Sequence, residues 1–400
     1  MNFLIPAAGP GIHRRAMPSL SSRELVELVR SVFPRLPEDR VLTILADVPH
    51  DPARDNPAWK ERRALAFEWF AALKSARPDI PLDDVRFAAY PDAGSDNADL
   101  PAEAFLLDAP PPVAAAALAG AGLRVTFTHI FAESQLLLAP TEFSTTAPLK
   151  VAAKRFGFRA ATMPGFAASM IPALRIDYGE VARRVDALKA RLDAAVRADV
   201  VFLVDGCGEF AVRFDLRHRT AHASTGRFPD PGTAGNLPSG EAYIVPYEGE
   251  KGEPSGTAGT LPVEIDGELV LFTIAANRAM DAAGAGPAAA AERGHLRREP
   301  AYGNMAELGF GVLAGFGLAP VGEILLDEKL GLHVAFGRSE HFGGIVGPPA
   351  FSAPSEVVHL DRIYIPESMP RVAVGSVTLA YPDGREERVM ERGAYTIFDR

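Results

Sequence analysis

The chain has 400 residues, enough for two ordinary domains with separate cores, and its 48% hydrophobic content with mean hydropathy near zero describes a soluble globular protein. A net charge of −10 argues against nucleic acid or an anionic membrane surface as partner, because both demand clustered Lys and Arg. The one cysteine, Cys207, rules out an intrachain disulfide framework and a thiolate zinc site. Asp205 and Glu209 beside it would raise a thiol pKa, so Cys207 reads as structural, in a cytoplasmic protein.

The opening stretch, MNFLIPAAGPGIHRR, does not read as a signal peptide: its apolar run is short, broken by Pro6 and Gly9, and its positive charges follow the run. No stretch is apolar for long enough to predict a membrane span. Residues 40–48 (RVLTILADV) predict a buried strand, closed by the turn residues Pro49 to Pro52. Residues 57–76 carry Ala64, Phe67, Trp69, Phe70 and Leu73 at helical spacing. A strand follows at 85–91, an Ala-rich helix at 111–121, a strand at 123–131 (LRVTFTHIF), a helix near 147–156 and a short strand in FRAATMP. Strands alternating with helices predict an α/β fold with a parallel, doubly wound layer. The stripe Val181, Val185, Leu188, Leu192 and Val196 predicts a helix over 178–198 that leads into a second domain, giving units of 1–198 and 199–400.

From residue 199 the pattern changes to short apolar strands punctuated by Gly, Pro, Asn and Asp, which predicts a mixed α+β domain. Asp266-Gly267 between apolar runs signals a hairpin, and a second hairpin is expected at Pro382-Asp383-Gly384. Residues 226–241 form a long turn-rich segment, the kind of loop that carries binding residues, and the Ala-rich run 279–294 reads as a mobile or weakly helical excursion.

Five ligand-type residues stand in apolar or Gly-rich settings within this half. His359 and Asp361, two apart in a strand-like run, project from one face, so one imidazole and one carboxylate can reach one ion. Glu241 starts a strand after Pro238-Ser239-Gly240, and His333 lies in the alternating strand LHVAFG. Glu307, among Met305, Ala306, Leu308 and Phe310, must be paired, protonated or metal-bound. Two histidines and three carboxylates suit two divalent cations with one carboxylate bridging. Other motifs fail. GFGVLAGFG departs from the dinucleotide-binding G-x-G-x-x-G and reads as a packed turn, no G-x-S-x-G elbow occurs, and His218 and His222 read as structural or surface residues. Asp327-Glu328-Lys329 is either a solvated turn or a support that orients His333.

The segments GNLPSGEAYIVP, AELG, EILLDEKLGLHVAFG and SEVVHLD, in this order, resemble the thermophilic-type metallo-aminopeptidases, the leucyl aminopeptidases also called aminopeptidase T or S. The resemblance covers roughly residues 200–365. It implies metal ligands at Glu241, Glu307, His333, His359 and Asp361, with Glu307 bridging two ions such as zinc or cobalt. It also implies a homodimer and the release of N-terminal residues from short peptides through attack by a metal-activated water. Where the family has a tyrosine about seven residues after the histidine matching His333, this chain has Glu340 followed by His341. Those two are the candidate general bases. The alternative is a ring-cleaving dioxygenase for dihydroxypyridines, with one iron on His333, His359 and Asp361.

Overall fold

The computed structural model describes residues 19–398, so the expectation for residues 1–15 lies outside the described residues. Val41–Val48 is buried along its whole length, which a strand achieves only when both faces of its sheet are covered. It pairs in parallel with Asp84–Pro91 on one side and Leu136–Ala139 on the other. Arg159–Thr162 extends the parallel run, while Glu103–Leu106 and Leu123–Thr126 close the far edge antiparallel, completing a seven-stranded sheet with one further strand.

Helices cover both faces of this sheet. Ser22–Val32, started by a capping box between Ser21 and Glu24, packs with Pro57–Ser75 in one core layer that includes Leu42, Ile44 and Ala46. The opposite layer holds Leu45, Ala88 and Tyr90 against Phe127, Ile130, Phe131 and Leu149, from the helices Phe127–Glu133 and Thr146–Phe156. The doubly wound layer is therefore present.

The chain then builds two antiparallel sheets. One has eight strands, ordered 278–283, 268–275, 258–265, 208–215, 197–204, 372–380, 386–391 and 394–395. The other has five: His359–Ile363, Leu332–Gly337, Met305–Gly311, Glu241–Ile244 and His222–Ser224. They stack through edge-on or tilted rings, Phe272 on Phe336 and Phe202 on Tyr364. The helix Tyr178–Ala194, capped by Asp177, backs the strands that carry Glu241 and His222. One strand returns: Ala234–Asn236 adds in parallel to the edge of the first sheet beside Arg159–Thr162. Asn236 thus belongs to the first sheet and Glu241, just beyond it, to the five-stranded one. A cleft opens between the two.

Several expectations change. LRVTFTHIF is not one strand; the Thr126 hydroxyl accepts the His129 N–H, ending the strand and starting a helix at Phe127. Residues 111–121 reach helical form only in a 3-10 turn and in Leu118–Ala121. The expected excursion at 279–294 is ordered as the strand Arg278–Ala283 and the helix Pro287–Arg298, whose first turn is tied down by the Glu268 carboxylate. Cys207 is exposed in a hairpin turn and fills no core position. Both expected hairpins form, with Asp266 and Gly267 in the left-handed region that such a turn requires. No helix among the described residues is long and apolar enough to cross a membrane.

Candidate metal centre

All five candidate residues lie on one face of the five-stranded sheet. Strand registers pair Glu307 with Ala335 and Ala335 with Asp361, Gly309 with His333, Gly337 with His359, and Glu241 with Gly311. Because side chains alternate with period two, the five candidate side chains share that face with Gly309, Gly311, Ala335 and Gly337. The small residues leave room above the sheet. A Cβ at Gly309 would sit 1.9 Å from His333 Nε2, so the imidazole lies across the neighbouring strand where any larger residue would collide. A Cβ at Gly311 would meet the Lys329 backbone at 2.2 Å, so this glycine admits the turn that brings Lys329 in.

Glu307 sits at the centre. Its Oε1 lies 3.1 Å from His333 Nε2 and its Oε2 lies 3.2 Å from His359 Nε2. Glu241 Oε2 approaches His333 Nε2 at 3.5 Å, and Asp361 Oδ1 approaches His359 Nε2 at 3.7 Å. Two triads result, Glu241–Glu307–His333 and Glu307–His359–Asp361, each with ligand atoms within 4.8 Å of one another. Two bonds of about 2.1 Å meeting at 90–110° would hold their ligand atoms about 3.0–3.4 Å apart, close to the two Glu307–histidine spacings. The remaining ring nitrogens face carbonyl oxygens, His359 Nδ1 that of Arg338 at 2.9 Å and His333 Nδ1 that of Gly331 at 3.4 Å, which orients both rings.

Electrostatics favour a cation here. Burial pushes the Glu241 carboxyl up to about 7 against the pull of Lys329, and its Oε2 has no hydrogen-bond partner. Burial and then Glu328 push Asp361 up to about 6. Burial alone would also raise Glu307, but hydrogen bonds from His333 and His359 outweigh it and hold the group below the usual carboxylate range. The same contacts overcome burial of the imidazoles, raising His333 to about 10 and His359 to about 9. A divalent ion would displace those protons and satisfy the orphaned Glu241 oxygen, so the residues fit a metal.

The remaining candidates separate. Glu340 turns onto Arg338, which holds it below the ordinary range, and its side chain stays out of the cleft. His341 does line the cleft, its ring 5.4 Å from that of His359. Burial and then His359 push it down to about 4, so it is neutral near pH 7, as a general base must be. The loop carrying it is pinned by Glu248, which accepts from the Ser339 hydroxyl at 2.6 Å and the Asn304 amide at 2.7 Å. His222 joins neither triad; its Nε2 bonds the Phe342 carbonyl and its ring stacks on Tyr243.

Three further residues line the cleft beside the candidate ligands. Lys329 is buried and pairs with Glu241 Oε1 at 2.7 Å and with Glu328, so the DEK turn supports Glu241 and not His333. Tyr243 alternates with Glu241 along one strand; its phenol has no hydrogen-bond partner among the described residues and is kept protonated by burial, Glu307 and Glu241. Lys150 reaches the same cleft from the first sheet's helix layer. A positional rule for Tyr243 was available, since residues two apart on a strand share a face.

No protein-family model matches the chain, and no curated protein matches it in sequence. Solved structures do. A 2,5-dihydroxypyridine dioxygenase from Pseudomonas putida KT2440 is similar over 94% of this chain and 98% of its own, with a TM-score of 0.55 and 15% identity. AmpT (aminopeptidase T) from Thermus thermophilus is similar over 94% of this chain and all of its own, with a TM-score of 0.50 and 16% identity. At such identity these likenesses establish a shared fold, which two different enzymes use.

Proposed function

We propose that the chain is a metal-dependent hydrolase of the aminopeptidase kind, releasing N-terminal residues from short peptides with two divalent ions such as zinc or cobalt. The observation that carries this reading is the division of Glu307, which offers one oxygen to each histidine, so that the two histidines serve different triads joined by one carboxylate. A mononuclear two-histidine, one-carboxylate site would instead gather both rings around one point. Glu241 with His333 and Asp361 with His359 would complete the two ion sites, Glu307 bridging them. The ions, when bound, would polarise a carbonyl and make water more acidic. Around them Lys329 holds Glu241 in place, the protonated Tyr243 phenol, on the same strand face as Glu241, would donate to a developing oxyanion, and neutral His341 would accept a proton.

A second reading has one observation in its favour. The Lys329 ammonium already neutralises part of the Glu241 side, so Glu241 needs no ion of its own. One iron on His333, His359 and Asp361, a two-histidine, one-carboxylate set, would suit a dioxygenase of dihydroxypyridines. Metal content by mass spectrometry, with turnover of leucyl peptides and of 2,5-dihydroxypyridine under air, separates the two. About two ions per chain with peptide hydrolysis supports the first reading; one iron with oxygen uptake overturns it.

A further inference from the structure

The cleft, about 910 Å³, is large enough for a short peptide or comparable small molecule. Its metal-centre wall carries three lysine or arginine side chains, and each is neutralised: Lys329 by Glu241 and Glu328, Arg338 by Glu340, and Arg362 by Glu292. Lys150, on the opposite wall, is different. It projects from the first turns of the helix Thr146–Phe156, and among the described residues its ammonium has neither a carboxylate nor a hydrogen-bond partner. Asp96 shares that wall, but its Oδ1 accepts the Ser144 N–H and it forms no ion pair with Lys150.

The polar groups around Lys150 present donors. Asn97 Oδ1 accepts the Ala147 N–H at 2.9 Å and the Ser144 hydroxyl at 3.0 Å, which fixes its amide and leaves its NH2 group unused. Asn236 Oδ1 likewise faces the Thr146 and Thr162 hydroxyls, each at 2.9 Å. An unpaired ammonium and two amides with spare N–H groups lining the same cleft match the acceptors of a carboxylate. The cleft walls and the like charges of Lys154 and Lys329 pull the Lys150 ammonium below the ordinary lysine range, against Glu241, so an incoming anion relieves an unfavourable site.

We propose that Lys150 is the counter-ion for a free carboxylate on the substrate, so that the cleft selects short peptides by their C-terminal carboxylate over the corresponding amides. The proposal rests on the hydrolase reading for the identity of the substrate, but the recognition of the carboxylate is separable from the chemistry. Lys150 is a specificity residue and touches no metal ligand; it is exposed to the cleft water, so its replacement leaves the core intact.

The test compares leucylglycine with leucylglycinamide. Binding of each to metal-stripped wild-type, K150A and K150E protein is measured by calorimetry, where no hydrolysis interferes, and kcat/KM is then measured on the metal-loaded proteins. The wild type should bind the acid about ten- to a hundredfold more tightly than the amide, as a charge-assisted contact provides. K150A should bring the ratio near one, K150E should reverse it, and added salt should shrink the wild-type ratio. In turnover the loss should fall on KM. An acid-to-amide ratio unchanged in K150A, or no binding of either ligand to the wild type, overturns the proposal. A Lys150-dependent binding preference without peptide turnover by any loaded form leaves the carboxylate site standing and removes the hydrolase reading instead.

Discussion

Replacing Gly309 with alanine tests the proposed two-ion centre without changing any of its candidate ligands. The added Cβ would lie 1.9 Å from His333 Nε2 and 2.2 Å from Cε1. Non-bonded contact requires about 3.5 Å, so ring and strand must separate by about 1.5 Å. Metal–ligand bonds tolerate only about 0.2 Å, so His333 cannot keep its place in the Glu241–Glu307–His333 triad. Gly309 lies outside the left-handed region, so alanine meets no backbone penalty there and the clash is the dominant effect. The overpacking itself should cost about 1–3 kcal/mol of stability. Affinity for one ion should fall by more than the roughly 10–100-fold that follows loss of an outer-sphere partner. An ion at the proposed second site, Glu307, His359 and Asp361, should remain. The assay is metal stoichiometry after dialysis against graded chelator, beside a urea melt of the stripped protein. A G309A protein that keeps both ions at wild-type affinity would refute the placement of His333.

Three further outcomes are expected. Glu307→Ala should lower metal occupancy and abolish activity while Glu307→Gln keeps the fold, as judged by mass spectrometry and circular dichroism; unchanged metal content in the alanine variant excludes a bridging role. Lys329→Met leaves Glu241 and Glu328 without their buried cation and should cost about 3–5 kcal/mol in the metal-free protein, read by urea denaturation, with an unchanged midpoint counting against it. Asp47 has its carboxyl raised by burial to about 6 despite N–H donors from Glu142, Phe143 and Trp59. Between its unfolded value of about 4 and that folded value the native state binds the extra proton, so stability falls as pH rises across this window, by about 3 kcal/mol. Asp47→Asn should lack that fall, and stability curves of wild type and variant that run parallel from pH 4 to 6 would count against the assignment.

How much was legible depended on how local the signal was. Val41–Val48 and Pro57–Ser75 were readable because burial on both faces and a helical stripe each leave a pattern in consecutive residues. LRVTFTHIF misled because its β-branched and aromatic residues favour a strand, whereas the Thr126 cap decides for a helix. Glu340 showed the limit in the site: sequence proximity to His333 suggested a catalytic place, but Arg338, two residues away, takes its carboxylate as an ion-pair partner.

The sequence by itself determined that His359 and Asp361 would share a face, and that Glu241 and Tyr243 would, because alternation along a strand is a property of covalent geometry. It also supplied the five ligand-type side chains and the glycines among them. Only the tertiary structure decided which strands are neighbours, and therefore that Glu307 stands between two histidines on different strands with one oxygen for each. It alone placed Lys329 on Glu241, 88 residues away in the chain, and brought Lys150 from the first sheet's helix layer to the facing wall of the cleft. Such pairings are set by the packing of sheets and by the burial of charge, which no run of consecutive residues encodes.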